Sequence, residues 1–266
     1  MEFASKYKSL IFILLTHLFV MSEFAYSQPL LIAVEDDAAP WSQKNGTGYA
    51  NDIVLAAFKA VEVDVKLLVV PYSRAKEMVI NGKVPACFSM SWLPEFENKI
   101  IFPKTPLFTV SVDYFTGLKK SLNIKKEADL AKGTVVGTVF GYEYPPSTYK
   151  LRDKGIIVFE ESESEEINLK KVAFGRIDYA LIVHNKTKPA ELLIARADAT
   201  NKIKKAFPCG EQGSYIGFSI KHPQGLEALK KFNRGMAIIS KNGTLKKIEL
   251  KWEKSAISET NKLTKK

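Results

Sequence analysis

The sequence predicts an α/β fold of two lobes, each a mostly parallel sheet flanked by helices, with a cleft between them. Three observations carry this. Short apolar runs alternate with helical periodicity from Leu30 to Met90. The alternation restarts after Leu107. The chain has 266 residues, more than the roughly 100–150 that a single core usually organises.

In the first unit, Leu30-Leu31-Ile32-Ala33-Val34 reads as a buried strand, followed by acidic Glu35-Asp36-Asp37 and by Pro40-Trp41. Asn45-Gly46-Thr47-Gly48 is a turn cluster. Asn51 or Asp52 is expected to cap a helix carrying Ile53, Ala56, Ala57 and Ala60 at helical spacing. Residues 65–70 predict a second strand, 74–81 a helix stopped by Gly82, and 86–90 a third strand.

The second unit opens with an extended, β-forming stretch at 107–117. Strands are predicted at 134–139, 156–159 and 177–183, with a helix starting near Gly141. Ser162 with Glu165 forms a capping box for a helix ending near Gly175. The chain then returns to the first lobe through a strand at 215–220. An amphipathic helix follows at 223–240, with Leu226, Leu229, Phe232, Met236 and Ile239 on one stripe. A shorter helix is predicted at 245–252. The boundaries are therefore 28–111 with 208–253 for lobe one, 112–207 for lobe two, and a polar basic tail at 254–266.

Residues 1–27 read as a leader. Lys6 and Lys8 precede an apolar run at 10–21, and Ala25-Tyr26-Ser27 offers small residues for cleavage before Gln28. The run is about a dozen residues where a membrane span needs roughly 20. Export is the expectation, and no Cys stands at the cleavage point to take a lipid. The net charge of +10 is spread along the chain, and export excludes nucleic acid as its partner; a solvated basic surface is the reading. Cys87 and Cys209 are an even pair in an oxidising compartment. A disulfide between them is expected, with two buried thiols as the alternative.

The motifs favour binding over catalysis. Beyond the leader the histidines are His184 and His222, without metal-ligand spacing. No Gly-x-Ser-x-Gly elbow or phosphate-cradling loop occurs, and no cofactor is implied. A ligand cleft is expected where the strand ends of two lobes meet. Trp41, Tyr49, Tyr72 and Trp92 lie near such ends in lobe one, and Phe140 and Tyr142 in lobe two. Aromatic walls suit a flat, apolar or cationic ligand, with Glu35, Asp36 and Asp37 as countercharges. His184 is the candidate polar contact from the second lobe.

Several segments together resemble one family: Gly48-Tyr49-Ala50-Asn51-Asp52-Ile53, Pro94-Glu95 ahead of Ile101-Phe102-Pro103 and Pro106-Leu107-Phe108, Gly175-Arg176-Ile177-Asp178, and Asn242-Gly243-Thr244 leading to Ile248 and Lys251-Trp252. In order and spacing they resemble the bacterial extracellular solute-binding proteins of family 3, amino-acid-type receptors of ABC transporters. The resemblance implies the two-lobed periplasmic-binding-protein fold, a periplasmic monomer, a small-molecule ligand, and an inner-membrane permease or sensor as partner. It also implies ligand contacts at Ser89 and Ser91. In the family an Arg clamps the ligand carboxylate where this chain has Phe96, and an Asp holds the ammonium where it has Val183. The ligand is therefore expected not to be a standard α-amino acid. Arg74, in Pro71-Tyr72-Ser73-Arg74-Ala75, is a replacement clamp or a surface residue at a helix start. The fold also hosts dehydratases and lytic transglycosylases; the second kind needs a catalytic Glu in the cleft, for which Glu35, Glu95 and Glu143 are candidates, each with a turn or surface carboxylate as the alternative. Delivery to an importer is the first reading, sensing the second, and a cleft enzyme the third.

Overall fold

The computed structural model describes residues 28–119 and 124–265. The leader expected over residues 1–27 lies outside them.

In lobe one, β1 (Leu30–Glu35) is paired in parallel on one side with β4 (Val65–Val70) and on the other with β5 (Ala86–Met90). A small ribbon, β2 (Asp37–Ala38) and β3 (Ser42–Gln43), follows β1. In lobe two, β8 (Thr134–Val139) pairs in parallel with β9 (Ile157–Ser162) and β10 (Tyr179–His184). Two long strands join the lobes. β7 (Phe108–Gly117) runs antiparallel to β11 (Ile203–Ser219), from Phe108 opposite Ser214 to Gly117 opposite Ile203. β11 continues into lobe one against β5 and the short β6 (Ile100–Ile101). The strand order is β4-β1-β5-β11-β7-β10-β8-β9. The sheets are thus mixed: the parallel pairs predicted from the alternation are present, and the two connecting strands supply the antiparallel part.

The helices show where local signals were read correctly and where tertiary contacts redirected them. α1 (Tyr49–Lys59) starts at Tyr49, ahead of the expected cap. Asn51 lies inside it and donates to the Gly46 carbonyl at 2.8 Å. Asp52 accepts from Lys251 Nζ and Trp252 Nε1 at 2.7 and 2.8 Å. α2 (Tyr72–Ile80) and α3 (Pro146–Asp153) follow β4 and β8. α4 (Glu165–Ala173) is capped by Ser164, whose Oγ accepts from the Ile167 amide, so the capping box expected from Ser162 is displaced by two residues and Glu165 turns inward. α5 (Ala190–Arg196) was not foreseen. α6 (Gly225–Lys241) turns Leu229, Phe232, Met236 and Ile239 of the expected stripe inward, whereas Leu226, in its first turn, is 54% exposed and Ala228 takes the buried position instead.

The final helix, α7 (Thr244–Thr264), runs well past the expected end at 252, and the stretch read as a polar tail is helical to Thr264. Ile248, Trp252, Ala256 and Glu259 recur three or four residues apart and form its inner face. Ala256 is buried, and Glu259 receives the Arg196 guanidinium of α5 through two bonds of 2.8 and 3.0 Å. The helix therefore spans from α1 to lobe two.

The expected disulfide is absent: both cysteines are free thiols. Cys87 is buried in β5 within the apolar cluster under α2. Cys209, on β11, sits beside Thr148 Oγ1 and Glu127 Oε1 at 3.4 and 3.2 Å. They belong to separate packing clusters, which leaves each thiol a different neighbourhood.

α6 lies tightly on α1. A Cβ placed on Gly235 would come within 1.8 Å of the Ala57 carbonyl oxygen, and Phe232 contacts Phe58 and Phe218 with ring centres 5.7 and 5.8 Å apart. Gly235→Ala is expected to lower stability by about 3 kcal/mol through forced helix separation. Urea denaturation checks this, and a midpoint equal to that of the unsubstituted chain would disprove the packing argument.

Candidate functional site

The C-terminal ends of β1 and β5 in lobe one open onto the seam, facing the end of β10 and the turn after β8 in lobe two. Where they meet lies a cavity of about 30 Å³, space for one or two water molecules. Lobe one lines it with Glu35, Trp41, Tyr72, Ser89 and Ser91, lobe two with Tyr142, Glu143 and Val183, and the connecting strands with Val110, Gln212 and Ser214. The lobes meet closely over it.

Beside the cavity three groups of polar side chains cross the seam, and farther out the Arg196 guanidinium of lobe two donates to the Ala39 carbonyl of lobe one at 2.8 Å. In the first, Glu143 reaches from the turn between β8 and α3 into lobe one. Its Oε2 accepts from the Tyr72 hydroxyl at 2.6 Å and the Ser91 amide at 3.1 Å, and its Oε1 accepts from Lys76 Nζ at 3.0 Å. Burial raises the Glu143 pKa, and the Lys76 charge, the Tyr72 hydroxyl and the Ser91 amide pull it back. In the second, the Tyr142 hydroxyl donates to Glu35 Oε1 at 2.7 Å. Burial pushes the Glu35 carboxyl up to about 8; the Tyr142 bond and the Lys188 charge oppose this, while Glu165 and Asp37 add to it. In the third, buried Lys188 pairs with buried Glu165 and lies 4.0 Å from the centre of the Trp41 ring. Trp41 Nε1 donates to Thr187 Oγ1 at 3.0 Å, and Glu165 Oε1 accepts from the Val183 amide at 2.6 Å.

Ser89 stands apart. Its φ of 69° is left-handed, and its buried Oγ has no hydrogen-bond partner among the described residues. A strained backbone with an unsatisfied hydroxyl in a cleft is a place where a ligand atom can complete the bonding.

Of the residues singled out in the sequence, Glu35, Trp41, Tyr72, Ser89, Ser91, Tyr142, Glu143 and Val183 come together here. The others do not line the cavity. Tyr49 is buried against Phe108, ring centres 5.0 Å apart. Arg74 is exposed: two residues after Tyr72, it falls on the opposite side of α2. Trp92 and Phe140 are 54% and 51% exposed. Phe96 is buried beside Phe102, with Lys76 Nζ 5.8 Å from its ring centre. His184 is held at 2.7 Å by Asp113 of β7, which also pairs with Lys205, and this pins the ring outside the cavity.

Sequence reasoning missed Lys76, Glu165, Lys188, Gln212 and Ser214 as cleft groups, and weighed Glu143 as a candidate cleft acid against a turn or surface carboxylate. Lys76 carried a usable signal, since it lies four residues after Tyr72 on the same helical face. Among the described residues no cluster of metal-ligating side chains occurs, and no helix is long and apolar enough to cross a membrane.

Comparison with known proteins agrees with this architecture. The chain superposes on a histidine kinase sensor domain with similarity to periplasmic binding proteins at a TM-score of 0.70 and 20% identity, covering 85% of this chain and 96% of that one. An ancestral arginine-binding protein bound to arginine gives 0.69 and 20%, covering 84% and 97%. The GluR0 ligand-binding core from Nostoc punctiforme in complex with L-glutamate gives 0.67 and 20%, covering 84% and 99%. At this identity the likeness speaks for the fold. No curated protein sequence matches the chain. The family profile described as bacterial extracellular solute-binding proteins, family 3, matches residues 30–255, both lobes and the seam between them, and the chain belongs to that family.

Proposed function

We propose that this is a periplasmic solute-binding protein that captures a small, positively charged polar ligand between its lobes and delivers it to an inner-membrane ABC importer. The observation that carries the ligand class is the charge of the cavity wall. Its ionisable lining groups are the carboxylates Glu35 and Glu143 and the hydroxyls of Tyr72 and Tyr142. Glu143 is neutralised by Lys76. Glu35 has no ion pair among the described residues and stays protonated because it is buried. A cation beside Glu35 would favour its ionised form, and the rings of Trp41, Tyr72 and Tyr142 add aromatic faces.

A free α-amino acid fits less well. Phe96, at the position of the family's carboxylate clamp, is buried in lobe one, and Val183 offers no charge to an ammonium. Each uncompensated charge would cost several kcal/mol. Export with removal of residues 1–27 is part of the proposal, supported by the basic start, the apolar run and the small residues before Gln28.

The likeness to a sensor domain favours a second reading, in which the bound state is reported to a membrane partner. Uptake of labelled ligand by cells with and without the gene separates the two: transport predicts loss of uptake, sensing predicts none. The cleft-enzyme reading rests on Glu35 itself, since a carboxyl protonated to about pH 8 is also what a general acid requires.

A thermal-shift screen of amines, polyamines, guanidinium compounds, amino acids, organic acids and sugars tests the ligand class, because a ligand that binds only the folded chain raises Tm. A cationic compound is expected to give the largest shift. A largest shift from a zwitterionic α-amino acid or a neutral sugar would refute the reading, and release of a product would move the protein to the enzymes.

The pH dependence follows from Glu35. The groups facing it are Tyr142, Lys188, Glu165 and Asp37. A cation selects the ionised carboxylate, which is the minor form below pH 8, so binding there releases a proton. Affinity should rise about tenfold per pH unit up to 8 and then level off. Calorimetry from pH 6 to about 9 in buffers of different ionisation enthalpy reads both effects. Glu35→Gln should weaken binding and flatten the profile; a profile unchanged by it would assign the proton elsewhere.

A further inference from the structure

We propose that Glu143 is an internal ligand: a carboxylate carried by lobe two that fills an anion socket in lobe one, holding the clamp shut before any solute arrives. The socket is made of the Tyr72 hydroxyl, the Ser91 amide and the Lys76 ammonium. Tyr72 and Lys76 share one face of α2, and Ser91 directly follows β5, so all three donors belong to lobe one. The acceptor comes from across the seam.

The fit is that of a binding site with its occupant in place. Both carboxylate oxygens are used, by two uncharged donors on Oε2 and the cation on Oε1. Glu143 is buried, and its main chain is anchored because Gln212 Nε2 donates to its carbonyl at 2.8 Å. Lys76 is otherwise bonded to the Gly141 carbonyl of the same turn, at 2.6 Å. Without Glu143 the Lys76 ammonium would face the rings of Tyr72 and Phe96, 5.6 and 5.8 Å away, with no counterion in contact among the described residues. A second charge crosses in the same direction: Lys188, from lobe two, covers Trp41 of lobe one.

Two consequences follow. The ligand-free protein is closed, where a clamp without a latch would be open. A solute carrying a carboxylate meets the socket only by displacing Glu143, which disfavours such solutes whatever the rest of their structure. The latch goes beyond the cationic-ligand reading and stands or falls apart from it, because its test needs no natural ligand.

The experiment uses the whole exported chain, freed of co-purified solute by unfolding and refolding, with sodium acetate as the probe and sodium chloride at equal ionic strength as the control. Small-angle scattering reads the separation of the lobes. The unsubstituted chain is expected to be compact and indifferent to acetate. Glu143→Ala is expected to have a larger radius of gyration and a lower Tm; acetate, filling the vacated socket without a tether to lobe two, should raise that Tm where chloride does not, and should leave the lobes apart. Should Glu143→Ala not fold, Glu143→Gln and Lys76→Met take its place. Both keep the side chain's bulk and remove the charge attraction, and both should expand the protein without acetate rescue. An unsubstituted chain as expanded as the variants, or variants as compact as the unsubstituted chain, would overturn the proposal. So would a folded Glu143→Ala whose Tm acetate raises no more than chloride does, or whose lobes acetate alone draws together.

Discussion

The antiparallel ladder between β7 and β11 is the constraint from which the rest of the molecule follows. β11 is hydrogen-bonded to β7 along lobe two and then to β5 and β6 in lobe one. One strand therefore belongs to both sheets, and with β7 it joins the lobes. Its register shifts near Phe207 and Gly210, around Pro208, the one residue type that cannot donate to the ladder. Such irregularities let a strand bend without losing its pairing on either side. The same strand brings Gln212 and Ser214 to the floor of the cavity. The mechanical link and the site are thus built from one element.

Closing two lobes over such a floor removes charges from water, and the seam handles each in a different way. Glu143 is paired with a cation from the opposite lobe. Glu165 is paired with Lys188 of its own lobe, and that lysine then rests on an aromatic ring of the other. Glu35 is left without a cation among the described residues and keeps its proton. Breaking either pair by removing one partner would leave a buried charge uncompensated, which is far more damaging than never having had the pair. Charge balance across the seam is thus part of what makes the closed arrangement a defined state.

The fold was legible because strands and helices alternate with clear periods: β1, β4, β5, β8 and α6 fall close to where their apolar patterns put them. The cavity was half legible. Trp41, Tyr72, Ser89, Ser91 and Tyr142 sit at strand ends or helix starts, which a pattern can locate. Lys76, Glu165 and Lys188 were opaque, and Glu143 was seen only as a candidate acid, for one physical reason: charged side chains are by default solvated, and only the approach of the other lobe buries them. Phe96 and Val183 were informative by what they lack. The extension of α7 was hidden by its many lysines, which face solvent while Ile248, Trp252 and Ala256 make a sparse inner stripe. The cysteine pairing failed because parity says nothing about distance.

A latch changes what a ligand has to do. In a clamp that is open when empty, the ligand supplies the contacts that bring the lobes together, and its affinity reports those contacts less the cost of closure. In a clamp already held by Glu143, the binding-competent state is only a fraction of the population. The apparent affinity of any ligand is reduced by that fraction. A ligand gains only through what it offers beyond the internal carboxylate, by satisfying Ser89 Oγ, ionising Glu35, or stacking on the rings around the cavity. Selectivity then rests on the groups that Glu143 leaves unsatisfied. On that proposal the Ser89 hydroxyl, unpartnered among the described residues, and the buried Glu35 carboxyl, more than the fully bonded Lys76, are the groups assigned to recognition of the solute.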